Sequence, residues 1–169
     1  MNESLHTNDF INKAVSQYAD MLFRVCFTYL NNVQDAEDIA QDTLLKLVEK
    51  QPVFEHEEHQ KAWLLRVAVN LCKNRLRSAW YRKKQPLNKN DFLNNIESKN
   101  PLTSEEFNVL LAVQKLPLKY RSVIHMFYIE GYSISEISSI LKRKESTVGS
   151  QLHRARKILK SMLKEDFDE

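Results

Sequence analysis

The chain has 169 residues, with 25 Lys and Arg against 22 Asp and Glu for a formal net charge of +3, and it contains only two glycines and four prolines. This length suits one ordinary domain or two small ones, and so little glycine and proline argues for helix nearly throughout, against a sheet, a dinucleotide-binding loop or a phosphate loop. The net charge says less than its distribution, because acid and base occupy different stretches of the sequence.

The first predicted helix runs from about Asp9 to Leu30, where Phe10, Ile11, Ala14, Val15, Tyr18, Met21, Leu22, Val25, Cys26 and Tyr29 recur at helical spacing. Asn31 and Asn32 break it, and a second helix from about Gln34 to Glu49 buries Ala36, Ile39, Ala40, Thr43, Leu44, Leu47 and Val48. The opposite face of that helix is acidic, with Asp35, Asp38 and Asp42. A loop with Pro52 and the run Glu55-His56-Glu57-Glu58-His59 follows. The run is one residue short of the HExxH spacing that puts two histidines on one helical face, so it reads as a solvated acidic loop and no metal is assigned.

A third helix is expected from about Gln60 to Arg82, burying Trp63, Leu64, Val67, Ala68, Leu71 and Cys72. Lys61, Arg66, Lys73, Arg75, Arg77, Arg82, Lys83 and Lys84 supply cations with no carboxylate among them, a stripe that attracts a polyanion. Trp80, Tyr81, Asn70 and Asn74 add aromatic and amide groups, which suits single-stranded nucleic acid, whose bases stack and expose hydrogen-bonding edges. Cys26 and Cys72 fall on apolar stripes without a CxxC companion and read as buried, reduced thiols. The N-terminus has no cationic patch followed by an apolar core, and no apolar run is long enough for a bilayer. The expectation is a cytoplasmic protein without membrane insertion of its own, without a cofactor and without enzymatic activity, there being no nucleophile–base or ligand constellation.

From Gln85 to about Thr103 the periodicity is lost among Asn, Lys, Asp and Ser, with Pro86 and Pro101. This predicts a flexible linker, 86–103, between an N-terminal domain, 1–85, and a C-terminal domain, 104–169. The linker's Leu87, Phe92, Leu93 and Ile96 are more apolar than a spacer needs. Thr103-Ser104-Glu105-Glu106 has capping character before Phe107, Val109, Leu110, Leu111 and Val113, and Leu116-Pro117 starts another helix carrying Tyr120, Val123, Ile124, Met126, Phe127 and Ile129, ended by Gly131. The fold class is therefore all-α, in two small helical domains.

Residues 131–160 read as two short amphipathic helices joined by a tight basic turn, the pattern of a helix-turn-helix. Ile134, Ile137, Ile140 and Leu141 face Val148, Leu152, Ala155 and Leu159, while Glu145-Ser146-Thr147 begins the second helix. That helix is expected to run to about Leu163, followed by an acidic tail of Glu165, Asp166, Asp168 and Glu169. A helical hairpin with a solvated basic face is the plainer alternative, and the second basic surface around Lys73 and Arg77 speaks against it.

Asp-Ala-Glu-Asp-Ile-Ala-Gln-Asp-Thr at 35–43, Lys-Ala-Trp-Leu-Leu-Arg-Val-Ala-Val-Asn-Leu-Cys-Lys-Asn at 61–74 and Leu-Pro-Leu-Lys-Tyr-Arg-Ser-Val-Ile at 116–124, followed by the helix-turn-helix, carry a resemblance over nearly the whole length. In that order and spacing the chain resembles the extracytoplasmic-function sigma factors, the smallest two-domain members of the bacterial sigma family. The resemblance implies that Asp35, Asp38, Gln41 and Asp42 bind core RNA polymerase at the beta-prime clamp, and that the C-terminal domain meets the beta flap. It implies that Asn70, Lys73, Asn74 and Arg77 surround a base extruded from the melted promoter. Ser146, Thr147, Ser150, Gln151 and Arg154 would read or brace the upstream duplex element, with Arg156 and Lys157 on phosphates. An anti-sigma partner is also implied.

The sequence departs from the family pattern at Gly149 and Gln151, where relatives often carry basic residues, and at Lys142, where a glycine is usual at the turn. Gly149 weakens its helix by up to about 1 kcal/mol relative to alanine, and glutamine at 151 suits adenine where arginine favours guanine. A second reading is a sigma mimic that titrates an anti-sigma factor without touching DNA. The cations of the third helix, with Arg154 and Arg156, would then be superfluous. A plain helix-turn-helix regulator would leave the acidic face unexplained.

Overall fold

Helix is the only regular structure among the described residues of the computed structural model, which describes residues 2–78 and 104–167, with side chains over 8–78 and 108–162. They fall into two compact units, residues 1–101 and 102–169. The expected linker, the aromatics Trp80 and Tyr81 and the cations Arg82, Lys83 and Lys84 lie outside the described residues.

In the first unit α1 spans Asn2–Leu30, α2 Val33–Lys50 and α3 Glu57–Arg77, each packed on the other two. Helix α1 starts at Asn2 rather than Asp9 because its polar opening holds no glycine or proline to stop a helix, and apolar periodicity does not register such a segment. Asn32 caps α2 by accepting the Asp35 N–H at 2.9 Å, and Gln51 ends it in the left-handed conformation (φ 41°). The core is made of Leu22, Val25, Cys26, Phe27 and Tyr29 from α1, Ala36, Ile39 and Leu47 from α2, and Leu64, Leu65, Ala68, Val69 and Cys72 from α3. Each such Leu or Val contributes roughly 1.5–3 kcal/mol on leaving water.

Three sequence expectations are corrected here. Leu44 and Val48 of α2 are only half-buried, at the margin of its apolar stripe. On α3 the buried stripe lies about one residue from the expected one, with Leu65 and Val69 inside and Trp63, Val67 and Leu71 half-exposed. Trp63 is instead packed edge-on against Phe54 of the preceding loop, with ring centroids 5.8 Å apart. Finally, α3 begins at Glu57 rather than Gln60, because His56 is its N-cap: its Nδ1 accepts the His59 N–H at 3.2 Å. The acidic loop is thus the first turn of a helix, where Glu57 and Glu58 favour the positive end of the dipole.

Cys26 and Cys72 are both fully buried between α1 and α3. A hydrogen bond between their side chains, then burial and the neighbouring sulfur, push the Cys26 thiol well above its ordinary pKa. The pair is a free dithiol of low reactivity.

In the second unit α4 spans Ser104–Gln114, α5 Leu118–Ile124, α6 Ile134–Leu141 and α7 Glu145–Phe167. The core joins Leu110, Val113, Leu116, Tyr120, Val123, Ile124 and Met126 to Ile137, Ile140, Leu141, Val148, Leu152 and Ala155. Helix α5 continues into a π-helical turn, His125–Ile129, where the Glu130 N–H returns to the His125 carbonyl at 3.1 Å. This turn brings His125 Nε2 within 3.2 Å of Glu130 Oε1, with both side chains almost wholly buried. Gly131, at φ 76°, then reverses the chain and lets the Tyr132 N–H reach the Met126 carbonyl. Helix α7 continues to Phe167 rather than stopping near Leu163, so Glu165 and Asp166 belong to it; Asp168 and Glu169 lie outside the described residues. Among the described residues no helix is long and apolar enough to cross a membrane.

Candidate nucleic-acid interface

Helix α2 presents a ridge on the side away from its core. Capping by Asn32 fixes its start, so that Asp38, Asp42 and Leu45 follow at i, i+4 and i+7, with Gln41 beside them. Gln41 and Asp42 are exposed, Asp38 is half-buried, and Leu45 is 56% exposed. Leu45 escaped the sequence reading, which counted it on neither face; a large apolar side chain among carboxylates is the arrangement of a protein-binding anchor with a polar rim. Gln34 Nε2 holds Asp38 Oδ1 at 3.3 Å.

Asp35 behaves differently. Its carboxylate is 3.0 Å from Arg75 Nη1 of α3, with 21% and 29% of the two side chains exposed. The pair clips α2 to α3 and takes Arg75 out of the one-sign stripe. What remains on α3 is a face with Arg66, Asn70, Lys73, Asn74 and Arg77 at i, i+4, i+7, i+8 and i+11. Asn70, Asn74 and Arg77 are exposed and Lys73 is half-buried, so all four expected strand-contacting residues share one side of one helix.

The second unit carries the other candidate surface. Ser133 caps α6 by accepting the Glu136 N–H at 3.2 Å, while Glu136 Oε1 accepts the Ser133 N–H at 3.1 Å. Lys142 closes α6 in the left-handed conformation (φ 54°), its N–H returning to the Ser138 carbonyl, and α7 starts three residues later. The tight turn projects the start of α7 outward. An open depression of about 270 Å³ is lined there by Ser146, Thr147, Ser150, Gln151 and Arg154 of α7, with Lys119 and Tyr120 of α5. Five of the expected duplex-contacting residues therefore come together.

The remaining two separate. Lys157 is exposed, one turn beyond Arg154 on the same side. Arg156 lies about 200° around the helix from Arg154 and is held by the π turn, its Nε donating to the Tyr128 hydroxyl at 2.5 Å and its guanidinium stacked on the Phe127 and Tyr128 rings. Arg156 thus braces α7 against the end of α5. Lys119 and Arg143 are members of this site that periodicity did not single out, and Tyr120, expected on an apolar stripe, lines it as well. Arg143 Nη1 donates to the Lys119 carbonyl at 3.2 Å and to Gln151 Oε1 at 2.9 Å, tying the turn to both helices.

Comparison with known proteins places both units. Residues 14–82 match the Sigma-70 region 2 family and residues 106–159 the Sigma-70 region 4 family. The chain is 30% identical over 157 residues to the ECF RNA polymerase sigma factor SigL of Mycobacterium tuberculosis, covering 88% of this chain and 86% of that protein. It is an ECF sigma factor. The ECF sigma factor SigW of Bacillus subtilis is 29% identical over 168 residues, covering 89% and 87% of the two chains. Among solved structures, the sigma factor RpoE of Bartonella quintana, in complex with the anti-sigma factor NepR, shares the fold with a TM-score of 0.68 at 22% identity, over 92% of this chain and 97% of that one. The acidic ridge and the α3 face of this sigma factor both lie in region 2, and the α7 depression lies in region 4.

Proposed function

We propose that this ECF sigma factor binds core RNA polymerase and directs it to specific promoters. Support comes from one coincidence: a protein-binding ridge, a cationic amide face and a helix-turn-helix depression fall, in that order, within the two matched sigma regions. Asp38, Gln41 and Asp42, around Leu45, meet the beta-prime clamp through charge complementarity, with Asp35 holding the ridge against α3. Asn70, Lys73, Asn74 and Arg77 capture the displaced strand. Unstacking a base costs a few kcal/mol, so a face that receives it selects promoters that open readily. Ser146, Thr147, Ser150, Gln151 and Arg154 address the upstream duplex element, Lys157 reaches its phosphates, and Arg156 acts through the position of α7.

The same domain meets the beta flap, and the two domains, 1–85 and 104–169, are joined through 86–103. An anti-sigma factor holds the protein inactive by covering these surfaces; a solved relative is bound to such a partner. The work is done in the cytoplasm, where polymerase and promoter are, and it requires no covalent step, only the capture of an opened state. In run-off transcription with core polymerase, reversing charge with Asp38→Lys and Asp42→Lys together abolishes initiation without loss of helical circular dichroism. Undiminished transcription by that variant refutes the assigned contact.

A further inference from the structure

Gln151 sits on the duplex-facing side of α7, and its carboxamide is not free to choose which end it offers. Arg143 has only donors, so the atom it meets at 2.9 Å is the carboxamide oxygen. The same guanidinium nitrogen is anchored on the Lys119 carbonyl at 3.2 Å, which fixes Arg143 between α5 and α7. Both Arg143 and Gln151 are half-buried, and Gln151 lines the depression beside Ser150 and Arg154. The bond engages the oxygen and leaves the amide NH₂ for an approaching base, with a cation 2.9 Å from the oxygen.

A glutamine reads adenine by using both ends, accepting from N6 and donating to N7, whereas guanine offers only acceptors, N7 and O6. One lone pair of the Gln151 oxygen remains, but the neighbouring guanidinium disfavours the partly positive amino hydrogens of adenine and favours the partly negative O6 and N7 edge of guanine. We infer that Arg143 is a specificity-determining positioning residue that biases Gln151 to donate, so that this sigma factor reads guanine at the base Gln151 contacts. The Arg143–Gln151 pair thereby supplies what a basic residue at 151 would supply alone. This deepens the proposed reading of the upstream element and rests on it.

The test is transcription from a random promoter library by holoenzyme reconstituted with the full chain, comparing wild type, Gln151→Ala and Arg143→Met. Gln151→Ala flattens preference at one upstream position, which identifies the contacted base. Wild type prefers guanine there, and Arg143→Met shifts the preference toward adenine by about tenfold, within the range of one bidentate contact. Because an overall loss of output from a weakened fold would scale all promoters together, the read-out is the ratio of bases at that position. An unchanged ratio in Arg143→Met, wild-type preference for adenine, or no flattened position with Gln151→Ala overturns the inference while the upstream element itself is still selected. Absence of any selected upstream element in wild type overturns the promoter reading as well.

Discussion

Among the described helices of the first unit the shortest, α2, has 18 residues, whereas α5 and α6 of the second have 7 and 8. Helices below about 12–15 residues do not hold by themselves in water, and the two units answer this in different ways. The long helices close chiefly on apolar side chains, down to the Cys26–Cys72 contact at their centre, with the Asp35–Arg75 and Tyr18–Gln60 bonds among the polar links between them. The short ones have an apolar core too, but are cross-linked by side chains with directional bonds: His125 to Glu130, the Ser133–Glu136 capping box, Arg143 across the turn, Arg156 on Tyr128. A unit whose proposed task is to present a single helix start to DNA gains from such bonds, because they fix position, where apolar burial fixes only proximity.

A large effect that can break this comparison is at Glu130. Glu130→Ala removes the carboxylate that the buried His125 ring meets, and losing one partner of a buried hydrogen bond costs about 1–3 kcal/mol, more where the groups are charged. Amide exchange in α5–α7 should accelerate accordingly, with α1–α3 unmoved. Glu130→Gln, which keeps an acceptor near the imidazole, should lose less. Equal protection in wild type and Glu130→Ala would remove the pair from the list of cross-links.

The matching experiment in the first unit is Leu64→Ala. Leu64 is fully buried, and truncation there should cost about 3 kcal/mol through lost transfer and the cavity left behind. Exchange should then accelerate across α1, α2 and α3 together, since all three helices share one core. A loss confined to α3 would show that the first unit is not one cooperative body.

The contrast also explains which parts of the molecule were legible beforehand. The centres of the α2 and helix-turn-helix stripes follow the 3.6-residue period, with Ile137, Ile140, Leu141, Val148, Leu152 and Ala155 buried, whereas Ile134 and Leu159 at the outer ends of the helix-turn-helix stripes stay exposed or half-buried. On α3 the run Trp63-Leu64-Leu65, then Val67-Ala68-Val69, satisfies two stripes one residue apart, and only packing against α1 and α2 selects between them. Directional bonds were less legible still. Nothing local in His-Met-Phe-Tyr-Ile marks a π turn, and Arg143 meets Gln151 eight residues away through a turn whose geometry is tertiary. For the same reason the bond of Arg156 to Tyr128, 28 residues earlier, is invisible in the sequence, which offers Arg156 only as a phosphate contact. His56 is the reverse case: its spacing to His59 is that of a helix cap and is recognisable from the sequence, although the same run also suggests a metal motif.

A smaller effect sharpens the comparison at the capping box. Ser133→Ala removes the acceptor for the Glu136 N–H and should cost about 1 kcal/mol, a modest loss that an 8-residue helix cannot spread over further turns. The expected sign is faster exchange in α6 before any change in α4. If α6 exchange is unaltered, the apolar contacts of Ile137 and Ile140 suffice and the caps are incidental.

The smallest effect has the opposite sign. Lys142 holds a left-handed conformation at φ 54° to end α6, which costs a side-chain-bearing residue roughly 1–2 kcal/mol relative to glycine. Lys142→Gly relieves that strain but gives the unfolded chain more freedom, worth roughly 0.5–1 kcal/mol in the other direction. The net expectation is a gain of about 0.5–1 kcal/mol, read as a raised melting temperature and slower exchange in α6 and α7. Because the turn's hydrogen bonds come from its backbone and from Ser138 and Arg143 rather than from the Lys142 side chain, glycine keeps all of them. A destabilised Lys142→Gly variant would mean that the lysine side chain is itself one of the polar links, and that the second unit depends on directional bonds more heavily than its resolved contacts require.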